Sequence, residues 1–212
     1  NIFPIIKKAV YSDHEIFLRE LISNSVDAIK KRRMASMAGH CENIDDPKVN
    51  ITIDRELNKL TISDNGIGMS SDEVKKYINQ VAFSSAEEFL NKYKNQDDSF
   101  IGHFGLGFYS SFMVSDHVQI ITKSAINKES AVKWSCDGSP KFTLEEAERE
   151  AVGTDIVLSL SEEEKEFIEP SRIKNLIKKY CDFMPIDVCL EGEVVNKKDP
   201  KWKKSPGELK DE

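Results

Sequence analysis

Apolar positions recur at helical spacing from about Glu15 to Met37. Phe17, Leu21 and Ala28 share one arc, and Glu20, Asn24, Asp27 and Lys31 form a polar stripe beside it. The pattern then changes to alternation, and NITID and KLTIS predict two strands joined by a polar turn around Glu56 to Asn58. Ser70-Ser71-Asp72-Glu73 has capping-box spacing, which predicts a short helix running to about Val81. A polar stretch follows through Asp98, and a glycine-rich segment then leads into FYSSFMV, read as a buried helix. HVQIITKS and AVKWSC predict a strand pair, and TDIVLSL a further strand. Pro170 stands where a helix carrying Ile173, Leu176, Ile177 and Tyr180 begins, ahead of the strand IDVCLEG. Strands that mostly follow one another, with helices grouped between them, predict an α/β fold whose sheet is covered on one face.

Four polar islands interrupt this pattern: RELISNSVDA from Arg19 to Ala28, SDNGIGM from Ser63 to Met69, IGHFGLGFYSS from Ile101 to Ser111, and GTD from Gly153 to Asp155. On the first helix, Arg19, Ser23 and Lys30 supply a flank for solvent, so the stripe of acid, amide and acid either doubles that flank or lines a polar pocket. An Asn four residues after a Glu presents an oxygen that can complete a Mg²⁺ shell beside a carboxylate that can orient a water. In the second island a carboxylate, Asp64, emerges at a strand end before an Asn-Gly turn, and Gly68 lets backbone come close. That pattern fits a hairpin-like turn with a local Asx bond. It also fits base recognition, since an ionised Asp only accepts hydrogen bonds and suits the exocyclic amine of adenine, with Met69 against the ring.

In the third island Gly102, Gly105 and Gly107 leave backbone N–H groups open just ahead of a helix, a setting that favours an anion. The spacing matches neither the Walker loop nor the dinucleotide fingerprint. A flexible hinge is the plain alternative, and it is compatible with a lid over bound ligand.

Composition narrows the classes further. A net charge of −7 provides no basic field for a nucleic-acid backbone, so nucleic acid is not expected as a partner. Cys41, Cys136, Cys181 and Cys189 lack C-x-x-C spacing and paired His, and are read as reduced thiols in a cytoplasmic setting. No apolar run approaches the roughly 18 residues of a membrane span, so no membrane partner is expected. One domain is expected over residues 1–190, and the Lys-, Glu- and Pro-rich stretch 191–212 is expected to be a charged linker. A start without Met and an end in KWKKSPGELKDE suggest a piece of a longer chain.

From Tyr11 to Tyr180 the ordered segments YSDHEIFLRELISN, LTISDNGIGM, IGHFGLGFYSSFMV and GTDIVL resemble the N-terminal ATP-binding domain of the heat-shock protein 90 family, bacterial type. The resemblance implies the Bergerat, or GHKL, fold: a two-layer α/β sandwich with a largely antiparallel twisted sheet and helices on one face. It implies ATP/ADP and Mg²⁺ as ligands, with Glu20 activating water, Arg19 orienting Glu20, and Asn24 binding Mg²⁺ and phosphate. Asp64 would hold adenine, Thr154 would support it through water, and Asp27 would line the ribose and phosphate side. Gly68, Met69 and Phe108 would line the pocket. Backbone amides of Gly102, Gly105, Leu106 and Gly107 would wrap the phosphates, under a lid from about Gln80 to Gly107. It further implies client proteins as partners, a homodimer in the full-length protein, a middle domain after the linker, and weak hydrolysis by this domain alone.

The chain departs from many relatives at the lid, with Phe83 where a Lys is usual and Ser85 for a Gly, and His103 replaces a common Gln. Two alternatives share the acid-to-Asn helix and the D-x-G-x-G turn. A DNA-acting ATPase of the gyrase or MutL kind is disfavoured by the acidic charge, and an ATP sensor that does not hydrolyse is disfavoured by Glu20.

Overall fold

The periodic N-terminal stretch forms helix α1, Ile16–Met37, which buries Phe17, Leu18, Leu21, Ile22, Val26 and Ile29. The computed structural model describes residues 14–79, 107–139 and 141–197. Helix α1 packs on strands β1, Lys48–Asp54, and β2, Lys59–Asp64. The turn between these strands has Asn58 in the left-handed region at φ 52°, a conformation Asn tolerates, and Asp54 Oδ1 accepts the Leu57 N–H at 2.9 Å.

The capping box forms as its spacing requires. Ser70 N–H donates to Glu73 Oε2 at 2.7 Å, and Glu73 N–H donates to Ser70 Oγ at 3.3 Å, opening helix α2, Ser71–Asn79. Val81, where the sequence reading ended this helix, lies outside the described residues. FYSSFMV does not make one regular helix. A 3-10 turn, Gly107–Ser110, passes into the single α-turn α3, Ser111–Val114. The hydroxyls of Ser110 and Ser115 donate to the carbonyls of Gly107 and Ser111, and such local side-chain bonds compete with the helical ladder.

Strands β3, Ser115–Lys123, β4, Ala131–Cys136, and β6, Gly153–Leu160, follow the expected segments. Strand β5, Phe142–Ala147, has only Phe142 and Leu144 as a short apolar alternation and is mostly exposed. It exists by pairing with β4, where Phe142 stacks on Trp134 with ring centroids 6.4 Å apart. A 3-10 segment, Glu162–Ile168, precedes helix α4, Pro170–Cys181, and strands β7, Asp187–Leu190, and β8, Glu193–Val194. The sheet therefore runs past residue 190. The Asn196 side chain is buried, accepting the Val188 N–H and donating to the carbonyls of Met184 and Ile186. Residues 198–212 lie outside the described residues.

The eight strands are ordered β5-β4-β3-β6-β2-β1-β7-β8, and every described pairing is antiparallel except β1 with β7. Helix α1 contacts both helix α4 and the turn α3, and the three lie against the sheet. Paired residues in an antiparallel sheet share a face. Three transverse rows result. Leu60, Leu158, Val118 and Cys136 form the first, and Ile51, Ile62, Ile156, Ile120 and Trp134 the second. Val49, Asp64, Thr154, Thr122 and Val132 form the third. Apolar in two rows, the core turns polar at the centre of the third.

Just ahead of α1, Glu15 is clamped to α4. Its carboxylate accepts from Lys179 Nζ at 2.6 Å, the Tyr180 hydroxyl at 2.9 Å and Arg172 Nη2 at 2.6 Å. These partners, Lys179 foremost, hold the Glu15 carboxyl down at about 2.

Candidate functional site

The polar centre of the third row is the floor of the site. Asp64 ends β2 on the helix-facing side and is 7% exposed. Its Oδ1 accepts the Gly66 N–H at 2.8 Å, the local Asx bond foreseen for this turn, and the carboxylate also bonds Ser25 of α1. Burial pushes the Asp64 carboxyl up to about 6 against the pull of Gly66, Ser25 and Arg149. Thr154 stands opposite Asp64 across β6, and Thr122 stands opposite Thr154 across β3. The two threonine hydroxyls are 2.9 Å apart, and Thr122 Oγ1 accepts the Met69 N–H at 2.9 Å.

The segment after Asp64 is threaded between α1 and the end of β3. Ile67 N–H donates to the Ala28 carbonyl at 3.0 Å, and Ala125 N–H donates to the Ile67 carbonyl at 2.7 Å. Gly68, at φ +63°, passes so close to β3 that an added Cβ would stand 1.9 Å from the Lys123 carbonyl oxygen. Here the backbone approach that Gly68 permits is to β3. Arg32 Nη1 donates to the Asn65 carbonyl at 2.9 Å and holds the turn from the helix side.

Helix α1 brings up the other wall. Glu20 and Asn24 are half-buried, whereas Asp27 and Lys31 are buried, so the stripe faces inward. Ser23, assigned to the solvent flank by periodicity, is also buried, because α1 touches the sheet on one side and α3 and α4 on others. Desolvation raises the Glu20 carboxyl above its ordinary value, opposed by the charge of Arg19, itself exposed. Burial lowers Lys31 to about 8 despite the nearby charges of Asp27 and Glu73.

Gly107 lies against Glu20, and a Cβ on it would come within 2.6 Å of Glu20 Oε2. This close approach joins the third island to the first. Phe108 is buried among Tyr109, Phe112 and Trp134, with edge-to-face rings. Gly102, Gly105 and Leu106, together with Phe83, Ser85 and His103, lie outside the described residues.

Three residues of this neighbourhood escaped the sequence reading: Thr122, Ser25 and Arg149. Thr122 had a usable signal, since it continues the buried period-two series Val118, Ile120, Thr122. Arg149 had none, being a charged residue in a connecting segment. Among the described residues no cluster of three or more His, Cys, Asp or Glu could hold a metal, and all four cysteines are free. No described helix is long and apolar enough to cross a membrane.

Residues 11–157 match the family model of the histidine kinase-, DNA gyrase B-, and HSP90-like ATPases. The chain is 52% identical to the chaperone protein HtpG of Bacteroides fragilis (strain 638R) over its whole length. It is 48% identical to HtpG of Porphyromonas gingivalis (strain ATCC BAA-308 / W83), again over its whole length, and 43% identical to HtpG of Buchnera aphidicola subsp. Cinara cedri over 92% of it. It spans about a third of the length of each of these relatives, 33% in all three. With the order of its four islands, its mostly antiparallel sheet under helices and this match over more than half its length, the chain belongs to the histidine kinase-, DNA gyrase B- and HSP90-like ATPase family, as an ATP-binding domain of the HSP90 type.

Proposed function

We propose that ATP binds with its adenine against Asp64 and its phosphates toward Glu20 and Asn24, and that this site hydrolyses ATP for a longer, cytoplasmic chaperone. One observation carries the reading: a carboxylate, Asp64, is buried at the polar centre of the third row, next to the hydroxyls of Thr154 and Thr122. A buried acceptor without a counter-charge in contact is unfavourable for folding alone. It suits a flat base that offers an amine N–H and stacks on aliphatic side chains, with Met69 beside it. Thr154 supports the base through water, and Gly68 and Phe108 shape the pocket wall.

At the other end Glu20 orients the attacking water and takes its proton. A carboxyl raised by burial is a better base near neutral pH, and the charge of Arg19 keeps it ionised. Gly107 leaves room for Glu20 Oε2. The oxygen donors Glu20, Asn24 and Asp27 fit a hard cation held by one protein oxygen and the phosphates, so Asn24 would carry Mg²⁺ and Asp27 would line the ribose and phosphate side. That ion, when bound, neutralises phosphate charge. Backbone amides of Gly102, Gly105, Leu106 and Gly107 would wrap the phosphates.

In the longer protein, ATP binding closes a lid and favours a homodimer that acts on client proteins. Turnover by this domain alone is slow, because the usual lid Lys position is Phe83 and a further cation has to come from the following domain. Titration calorimetry on Asp64→Asn tests the core of the reading. ATP binding weakens by about 1–3 kcal/mol, the range for a charge-assisted hydrogen bond in a closed site. Unchanged affinity removes adenine from Asp64.

A further inference from the structure

Arg149 lies in the segment between β5 and β6, outside every motif of the nucleotide site. Its guanidinium forks onto Asp155, with Nε 3.1 Å from Oδ2 and Nη2 3.1 Å from Oδ1. Nη2 also donates to the main-chain carbonyl of Asp64 at 3.3 Å, and Nη1 donates to the Ala151 carbonyl. The Arg149 side chain is only 13% exposed and that of Asp155 26%. Asp155 pairs with Ser63 in the β2–β6 register, so its side chain leaves the sheet on the face opposite that of Asp64.

We propose that Arg149, locked on Asp155, is a positioning residue for nucleotide recognition: it fixes the end of β2 from behind the sheet and biases the Asp64 side chain toward its ionised, purine-accepting form. The proposal rests on the reading that Asp64 receives adenine. A planar, five-donor fork held by two carboxylate oxygens has little freedom, so its third contact fixes the Asp64 carbonyl in place.

The surroundings of Asp64 single out this pair. From α1 come the Ser25 hydroxyl, bonded to the carboxylate, and Arg32, which is turned to the Asn65 carbonyl. On the β1 side Asp46 and Lys48 pair with each other and hold the Asn65 side chain, and Lys123 of β3 donates to the Glu150 carbonyl. Arg149 and Asp155 are the charges that act on the Asp64 carboxyl, with opposite sign: the cation favours ionisation and the anion opposes it. A protonated carboxyl accepts more weakly and gains an O–H donor that competes with the amine, so recognition weakens as Asp64 takes up its proton.

Calorimetric or fluorescence titration of ATP against the 212-residue chain from pH 5 to 8 tests this, with the Asp64→Asn profile subtracted to remove titration of the phosphates themselves. Affinity of the parent falls below a midpoint near pH 6. Arg149→Gln moves that midpoint up by about half a pH unit or more, and Asp155→Asn moves it down. A purely structural role loosens β2 in both variants alike, so midpoints that stay put or move in the same direction overturn the proposal. Should Arg149→Gln not fold, the downward shift in Asp155→Asn carries the test alone, and an unchanged or raised midpoint overturns it. If Asp64→Asn keeps the parent affinity and profile, the adenine assignment fails first, an outcome distinct from a weakened Asp64→Asn whose profile shows only the phosphates while the Arg149 and Asp155 variants leave the midpoint unmoved.

Discussion

Gly153 lies directly against the carbonyl of Asp64: a Cβ at position 153 would stand 2.1 Å from that oxygen and 2.9 Å from the Asn65 Cα. Both neighbours are backbone, and Gly153 has a φ of +131°. Neither the clash nor the conformation has an easy way out. Gly153→Ala is expected to destabilise the domain by about 2 kcal/mol or more and to weaken ATP binding with it. Denaturant melts check this, and a loss under ~0.5 kcal/mol would show that the β2 and β6 ends part freely.

Gly107 offers the opposite case, because its near neighbour is the end of a flexible side chain, Glu20 Oε2. Gly107→Ala should change stability by less than about 1 kcal/mol while displacing Glu20. The expectation is an unchanged ATP affinity and a roughly tenfold slower hydrolysis in single-turnover measurements on the full-length protein, with Glu20→Ala losing ~10²-fold. The double variant should be no slower than Glu20→Ala. An additive loss would mean that Gly107 acts through something other than Glu20.

These contacts also mark what the sequence could and could not reveal. The α1 stripe, Asp64 and Thr154 were legible because helical period, strand alternation and short motifs are local. The burial of Thr122 is legible in the Val118, Ile120, Thr122 alternation but its partner Thr154 comes only by register, and Arg149 meets the Asp64 carbonyl from a connecting segment that no local pattern marks. Strand β5 is hard to read from sequence because its edge position leaves FTLEEA mostly exposed, with Phe142 and Leu144 alone too short an alternation to mark a strand. Periodicity places Ser23 on a polar arc but cannot say which neighbours cover it, and in the fold it is buried. The charged tail was read from composition alone, which gave no hint that Asn196 would be buried by bonds to Met184, Ile186 and Val188.

Glu15 predicts an acid limb of the stability curve. Its carboxyl, held at about 2 in the fold against an ordinary 4.5, binds fewer protons folded than unfolded between those values. Its contribution is present above about pH 4.5 and is lost as pH falls toward 2. Glu15→Gln should lower stability at pH 7 by about 1 kcal/mol, since the contacts are partly screened by solvent, and should flatten the slope across that window. Urea melts from pH 2.5 to 7 decide it, and a slope equal to the parent's assigns the acid limb elsewhere.

Asp64 works with the reverse sign. Raised to about 6 by burial, it binds more protons folded than unfolded, so its contribution is fully present below pH 4 and is lost as pH rises through 6. Asp64→Asn should therefore stabilise the nucleotide-free domain at pH 7 by about 1–3 kcal/mol, an advantage that disappears below pH 4. The same substitution is expected to weaken ATP binding. Melts of the free protein at pH 3.5 and 7 test it, and a variant less stable at pH 7 would show that hydrogen bonds from Gly66 and Ser25 outweigh desolvation.

The third row joins residues that leave the ribosome far apart in time. Val49 and Asp64 are made early, Thr122 later, and Thr154 last of the polar three, while β1 gains its second neighbour only when β7 has been made. A nascent chain that has reached β5 thus already carries Asp64, but without the strand that buries it. ATP in the cell can then act as a folding ligand only after synthesis passes β6, and stalled chains shorter than residue 160 should show no nucleotide-dependent protection from protease.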